Sequence, residues 1–118
     1  GAVMSDPTTV RGMVADMQLE ILKGELLPHR AAELLMRLTA LMGNAAQEIR
    51  ERDAIYANVL LALLKSSLKA SHAKIEAETT DAFKRRQEAR DTKELIVELT
   101  RSLKYLLRTA EEEMRMSR

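Results

Sequence analysis

The stretch Val59-Leu60-Leu61-Ala62-Leu63-Leu64 decides the fold of this chain. Successive residues of a helix are rotated by about 100°, so the four leucines together spread over about 160° of the helix circumference, more than the stripe that faces one partner. A single antiparallel partner helix covers only one stripe of that surface. Each leucine left in water forgoes about 1.5–3 kcal/mol. The stretch therefore predicts a helix with more apolar surface than one neighbouring helix can cover.

A stripe of apolar residues with a spacing of three or four extends in both directions from this stretch. It predicts one helix from about residue 28 to about residue 77, on the order of 75 Å long at about 1.5 Å per residue. Gly43-Asn44 does not shift the phase of the stripe, and a packed helix can absorb the cost of an internal glycine, about 1 kcal/mol. The stripe comprises Leu34, Leu35, Leu38, Leu41, Ala45, Ile49, Tyr56, Val59, Leu60, Leu63 and Ala70, with the polar residues Arg52 and Ser67 at two of its positions.

The N-terminal segment has the pattern of a short amphipathic helix over residues 7–24. Asp6-Pro7 is typical of an N-cap followed by proline at the first helical position. Lys23-Gly24 is typical of a helix end, because glycine readily adopts positive φ there. We expect Gly1-Ala2-Val3 to be a tag remnant and residues 1–6 to be loose.

The C-terminal segment predicts a second long helix. Paired β-branched hydroxyl residues, Thr79-Thr80, resist helix interiors and cap well, so we expect a turn near 77–81. A stripe at heptad spacing then predicts a helix to about residue 116, antiparallel to the first. The members of this stripe are Ala82, Ala89, Thr92, Ile96, Leu99, Leu103, Leu106 and Ala110. The fold class is all-α: a short N-terminal helix and a coiled-coil-like helical hairpin over 28–118, assembled into a helical-bundle oligomer.

Surplus leucine on both long helices is the reason to expect this assembly, because a second copy can cover what the chain itself leaves in water. The alternative is a compact monomeric bundle in which a broken second helix wraps around the core. The candidates for the oligomer interface are Leu60, Leu61, Leu64, Leu103, Leu106 and Leu107.

The composition indicates a non-enzymatic protein without a cofactor. The 118 residues include no cysteine, so disulfides and thiolate chemistry are excluded, and a net charge of +1 exerts no global attraction for nucleic acid. The longest apolar run is far shorter than the roughly 20 residues that span a bilayer. His72 and Glu76 could share a metal on one helix face, but two ligands do not complete a site.

Basic clusters on the last helix leave a second function open, the binding of single-stranded nucleic acid. A row of cations can follow backbone phosphates, and an adjacent tyrosine can stack on a base. The opposing interpretation is a solvated helix flank, because Glu98–Arg101, Arg108–Glu112 and Glu111–Arg115 have the spacing of intrahelical ion pairs. The nucleic-acid candidates are Lys84, Arg85, Arg86, Arg90, Arg101, Lys104, Tyr105 and Arg108.

Residues 56–118 have a charged helical pattern in four runs: Tyr56 to Lys65, 70–78, Thr80 to Arg90 and 103–108. In these runs the chain resembles small helical proteins of tailed bacteriophages. It implies an accessory role in replication or recombination and a cytoplasmic location in a bacterial host, and it assigns no functional residues. The partners expected are a second copy of the chain and, if it is phage-encoded, a DNA-processing protein.

Overall fold

The structure, a computed structural model, describes residues 8–66 and 69–117, and every regular element within these ranges is a helix. The predicted all-α class is therefore confirmed. The described ranges contain four helices where the sequence predicts three: α1 (Val10–Leu22), α2 (Pro28–Ser66), α3 (Ala70–Glu78) and α4 (Asp81–Met116). They form an elongated molecule of 73 × 30 × 19 Å.

The start of α1 differs from the prediction, and its end agrees. Thr9 is the N-cap, and its hydroxyl accepts a hydrogen bond from the Gly12 amide at 2.9 Å, so the helix begins at Val10 rather than after Asp6. The expected cap at Asp6-Pro7 and the expected tag remnant lie outside the described residues. Gly24 has a φ of 77°, the left-handed conformation predicted for the helix end.

α2 is continuous through Gly43-Asn44, as predicted, but it is shorter than predicted. It ends at Ser66, and Lys69 has extended backbone angles, φ −131° and ψ 128°. The expectation of one helix to residue 77 is therefore wrong. The Ser66 hydroxyl donates to the Leu63 carbonyl at 3.1 Å, one of the local bonds by which serine competes with regular helix. The predicted stripe member Ser67 lies outside the described residues.

α3 packs mainly on α2. The chain therefore reverses its direction before α3 and not at the turn predicted near 77–81. The break between α3 and α4 does lie at Thr79-Thr80, where Thr80 caps α4 by accepting from the Phe83 amide at 3.3 Å. Yet the Phe83 ring lies 5.6 Å from the ring of Tyr56, ten residues before the end of α2. The chain therefore turns back before α3, and 79–80 is a junction between two helices that both lie along α2.

The core lies where α1, α2 and α4 meet. Leu34 and Leu38 of α2 and Ile96 of α4 are fully buried, together with Val14 of α1. These residues occupy the predicted three-four stripes, so the stripes face the core as expected. Around them, partly buried side chains of α1, α2 and α4 pack against this cluster.

Two charged contacts join α1 to the rest of the molecule on one side. The Arg30 guanidinium donates to both carboxylate oxygens of Glu20, at 2.6 and 2.9 Å, and Arg11 lies 3.0 Å from Glu88. The same side of the α2–α4 pair carries Glu48 and Arg52. Since a helix places residues 48 and 53 on opposite flanks of the core stripe, the flank that carries Asp53 lies away from α1.

Candidate self-association surface

Leu60, Leu61 and Leu64 lie on the last two turns of α2 and are called the tip leucines here. Leu61 is 50% exposed and Leu64 is 40% exposed, while Leu60 is half-buried. α3 and α4 do not cover these side chains, as the sequence predicts from their wide angular spread. The single chain therefore presents a contiguous apolar surface at this end.

Leu103, Leu106 and Leu107 do not belong with the tip leucines. Leu103 is fully buried in the core, so its prediction as an interface residue is wrong: another chain cannot reach it. Leu106 and Leu107 are half-buried and pack against the core cluster. The sequence shows that two adjacent leucines of α4 cannot both face α2. It does not show where α1 lies, and the position of α1 decides which flank of α4 is covered.

A groove of about 700 Å³ runs between α2 and α4 on the side away from α1. Ile49 of α2 and Val97 of α4 form its apolar part, and both are half-buried. Asp53 and Arg90 join the two helices across it, with 3.1 Å between the Asp53 carboxylate and the Arg90 guanidinium. The remaining lining carries equal numbers of acidic and basic side chains: Lys93, Glu94, Glu98 and Arg101.

The first half of the nucleic-acid set, at the start of α4, is largely used by the chain itself. Arg85 lies 3.5 Å from both Asp81 and Glu88, and Arg90 pairs with Asp53. Lys84 is exposed. Exposed ion pairs contribute only about 0–1 kcal/mol to stability. These contacts therefore compensate the charge of Arg85 and Arg90 and add little to the stability of the helix pair.

Arg86 has a structural role that the sequence does not indicate. Its guanidinium carbon lies 4.1 Å from the centroid of the Tyr56 ring and 5.2 Å from that of Phe83. Its Nε is buried and has no hydrogen-bond partner among the described residues. The face of the guanidinium covers both rings, so packing between α2 and α4 accounts for the position of Arg86 without a phosphate.

The second half of the set is exposed and remains together. Arg101, Lys104 and Arg108 lie on one side of α4, and Tyr105 is 69% exposed between them. We call these four residues the basic row. Of the three predicted intrahelical pairs, only Glu111–Arg115 is present in the described part of the chain, at 3.0 Å. The three cations of the basic row have no ion-pair partner there.

The remaining candidate chemistry finds no geometric support in the described ranges. His29 and His72 are both exposed. Between residues 8 and 66 and between 69 and 117, no three side chains of the metal-ligating types come together. Nor does any helix in these ranges combine the length and the apolar character that crossing a bilayer requires.

Comparisons with protein-family models, with curated proteins and with solved structures find no match. The resemblance to helical phage proteins therefore stays a prediction, and the surfaces described above carry the functional argument.

Proposed function

We propose that the chain is a non-enzymatic helical protein that associates with itself and serves as a protein-interaction or assembly module. One observation carries the proposal: Leu61 and Leu64, 50% and 40% exposed, remain in water when every helix of the described chain is in place. Covering them with a second copy recovers burial free energy that the single chain forgoes.

The shape of the molecule supports the same proposal. A rod of 73 × 30 × 19 Å has more surface for its volume than a sphere of equal mass, so its own core is small. Pairing two long helices with those of another copy gives a bundle with a larger core. The resemblance to phage proteins extends the proposal to a DNA-processing protein as a further partner of the assembled form.

Size-exclusion chromatography with light scattering tests the proposal. We expect a mass of at least twice 13.3 kDa for the natural chain. Leu61→Ser combined with Leu64→Ser should shift the protein toward the monomer. Leu22→Ser is the matched control, because Leu22 is 72% exposed but lies on α1, away from the tip leucines. A helical monomer at all concentrations would contradict the proposal.

A second candidate function, the binding of single-stranded DNA, has one specific observation in its favour. The cations of the basic row are not compensated by ion pairs among the described residues, and Tyr105 between them is 69% exposed. Arg101 precedes Tyr105 by four residues and Arg108 follows it by three, so both cations flank the ring on one helix face. Such a row could follow phosphates while the ring stacks on a base.

A salt series of binding measurements with single-stranded DNA tests this second candidate. Lys104→Glu combined with Arg108→Glu should weaken binding and reduce its dependence on salt, without changing the oligomer mass. Lys84→Glu is the control, because Lys84 is an exposed cation of the same helix outside the basic row. An absence of binding at low salt, or equal losses in both variants, would remove this candidate.

A further inference from the structure

α2 carries a second stripe of residues beside its core stripe, on the flank that faces away from α1. Its members recur every three or four residues from one end of the helix to the other, and most of them are apolar. None is fully buried. They are Leu35, Thr39, Met42, Ala46, Ile49, Asp53, Ala57, Leu60 and Leu64.

The spacing of this second stripe is the same in both directions along the helix. Reversing α2 about the point between Ile49 and Arg50 places residue 35 level with residue 64, and residue 39 level with residue 60. It likewise places residue 42 level with residue 57, and residue 46 level with residue 53. Eight of the nine members therefore meet another member when the helix pairs with an antiparallel copy of itself, and Ile49 lies beside the axis, close to its own copy. A twofold contact requires this property, because the same patch must serve both subunits.

The sizes of the paired positions also fit. Leu35 would lie against Leu64 of the second copy, and Met42 against Ala57, so a long side chain meets a small one near the middle. The small residues at positions 46 and 57 allow the two backbones to approach closely. The two polar members, Thr39 and Asp53, would meet the second copy's residues 60 and 46 rather than each other.

We infer that two copies pair through this second stripe, with antiparallel α2 helices and a twofold axis near Arg50. The inference rests on the self-association proposed above and deepens it by naming the face and the direction of the contact. The groove along Ile49 and Val97 lies beside the same flank, so the second copy would also cover that groove. The product is a bundle in which Leu60 and Leu64 of each copy lie against the first half of α2 of the other.

Single cysteines test the geometry cleanly, because the chain has none of its own. Arg50→Cys places a thiol near the proposed axis, so two copies should form a disulfide with each other on mild oxidation. Ala57→Cys should not join to itself, because its two copies would lie about 22 Å apart along the helices, at about 1.5 Å per residue. A mixture of Ala57→Cys and Met42→Cys should form the heterologous disulfide.

The outcomes separate this inference from the broader proposal. A dimer mass in light scattering, with disulfides only for Arg50→Cys and for the mixture, supports it. A disulfide of Ala57→Cys with itself would indicate parallel helices and overturn the inference while leaving self-association intact. A dimer mass without any of these disulfides would place the contact elsewhere on the chain. A monomer mass would overturn both.

Discussion

The Arg86 guanidinium lies over the Tyr56 ring, with 4.1 Å between the guanidinium carbon and the ring centroid. Tyr56 is 7% exposed and belongs to α2, while Arg86 belongs to α4, so the contact joins the two long helices near the α3–α4 junction. Phe83 lies on the same side, 5.2 Å from the guanidinium. This cluster packs α4 on α2 close to the point where Arg11 of α1 contacts Glu88.

Replacing Arg86 should destabilise the protein although Arg86 has no ion-pair partner in the described ranges. Arg86→Ala removes a cation–π contact that contributes about 0.5–2 kcal/mol and the aliphatic stem that packs over Tyr56. We expect the free energy of unfolding in urea to fall by about 1–3 kcal/mol. Lys84→Ala, at an exposed position two residues earlier, should change it by less than about 0.5 kcal/mol. Equal effects of the two substitutions would exclude the stacked contact.

The role of Arg86 shows where sequence reasoning stops. A run of Lys84, Arg85 and Arg86 indicates a basic cluster, and nothing in the run distinguishes one cation from another. The distinction depends on Tyr56, thirty residues earlier, and on how α4 lies on α2. Only the structure supplies that relationship.

The core stripes, in contrast, follow directly from the sequence. Leu34, Leu38 and Leu41 on α2, like Ile96 and Leu99 on α4, are buried where their spacing predicts. Periodicity fixes the phase of each helix, and the phase determines which residues face inward. Periodicity also explains the missed end of α2: the spacing of three or four continues across 63, 67 and 70, so it does not reveal that the backbone at Lys69 is extended.

Leu103 and Leu64 should respond to truncation in opposite ways. Leu103→Ala leaves a cavity in the core, so the free energy of unfolding should fall by about 2–5 kcal/mol, while any self-association persists wherever the variant is folded. Leu64→Ala removes a 40% exposed side chain. It should lower the stability of the isolated chain by less than about 1 kcal/mol, but it should weaken self-association. Urea unfolding at low protein concentration measures the first effect, and light scattering measures the second. Weakened association in Leu103→Ala but not in Leu64→Ala would contradict the assignment of Leu103 to the core and of Leu64 to the self-association surface.

The contact between Glu20 and Arg30 should make the docking of α1 sensitive to acid. Hydrogen bonds from the Arg30 guanidinium hold the pKa of Glu20 below its ordinary value of 4.5. A group whose pKa is lower in the folded state stabilises it above the unfolded pKa, and this contribution disappears as the pH falls through the folded pKa. The stabilisation is therefore fully present at pH 7 and is lost progressively below about pH 4.5.

Glu20→Gln isolates this contribution. At pH 7 we expect the variant to have a lower midpoint of thermal unfolding than the natural chain and faster amide exchange in α1. Below the folded pKa of Glu20 the two proteins should converge, because the natural carboxyl is then neutral as well. Glu25→Gln, at an exposed position in the α1–α2 connection, should show no such difference. If the midpoint of thermal unfolding of Glu20→Gln stays below that of the unmutated chain in acid, protonation of Glu20 does not account for the difference.

Two glycines of the chain should respond oppositely to alanine, because their backbones differ. Gly43 lies inside α2, and a Cβ added there meets no atom within 4 Å, so Gly43→Ala should raise the free energy of unfolding by about 0.5–1 kcal/mol. Gly24 also has open space around an added Cβ, but its φ of 77° is left-handed. Gly24→Ala should therefore lower the free energy of unfolding by about 1–2 kcal/mol. Urea unfolding of the two variants compares them directly. A loss of stability in Gly43→Ala would show that α2 is bent or interrupted at Gly43-Asn44, and the second stripe could not then run unbroken along the helix.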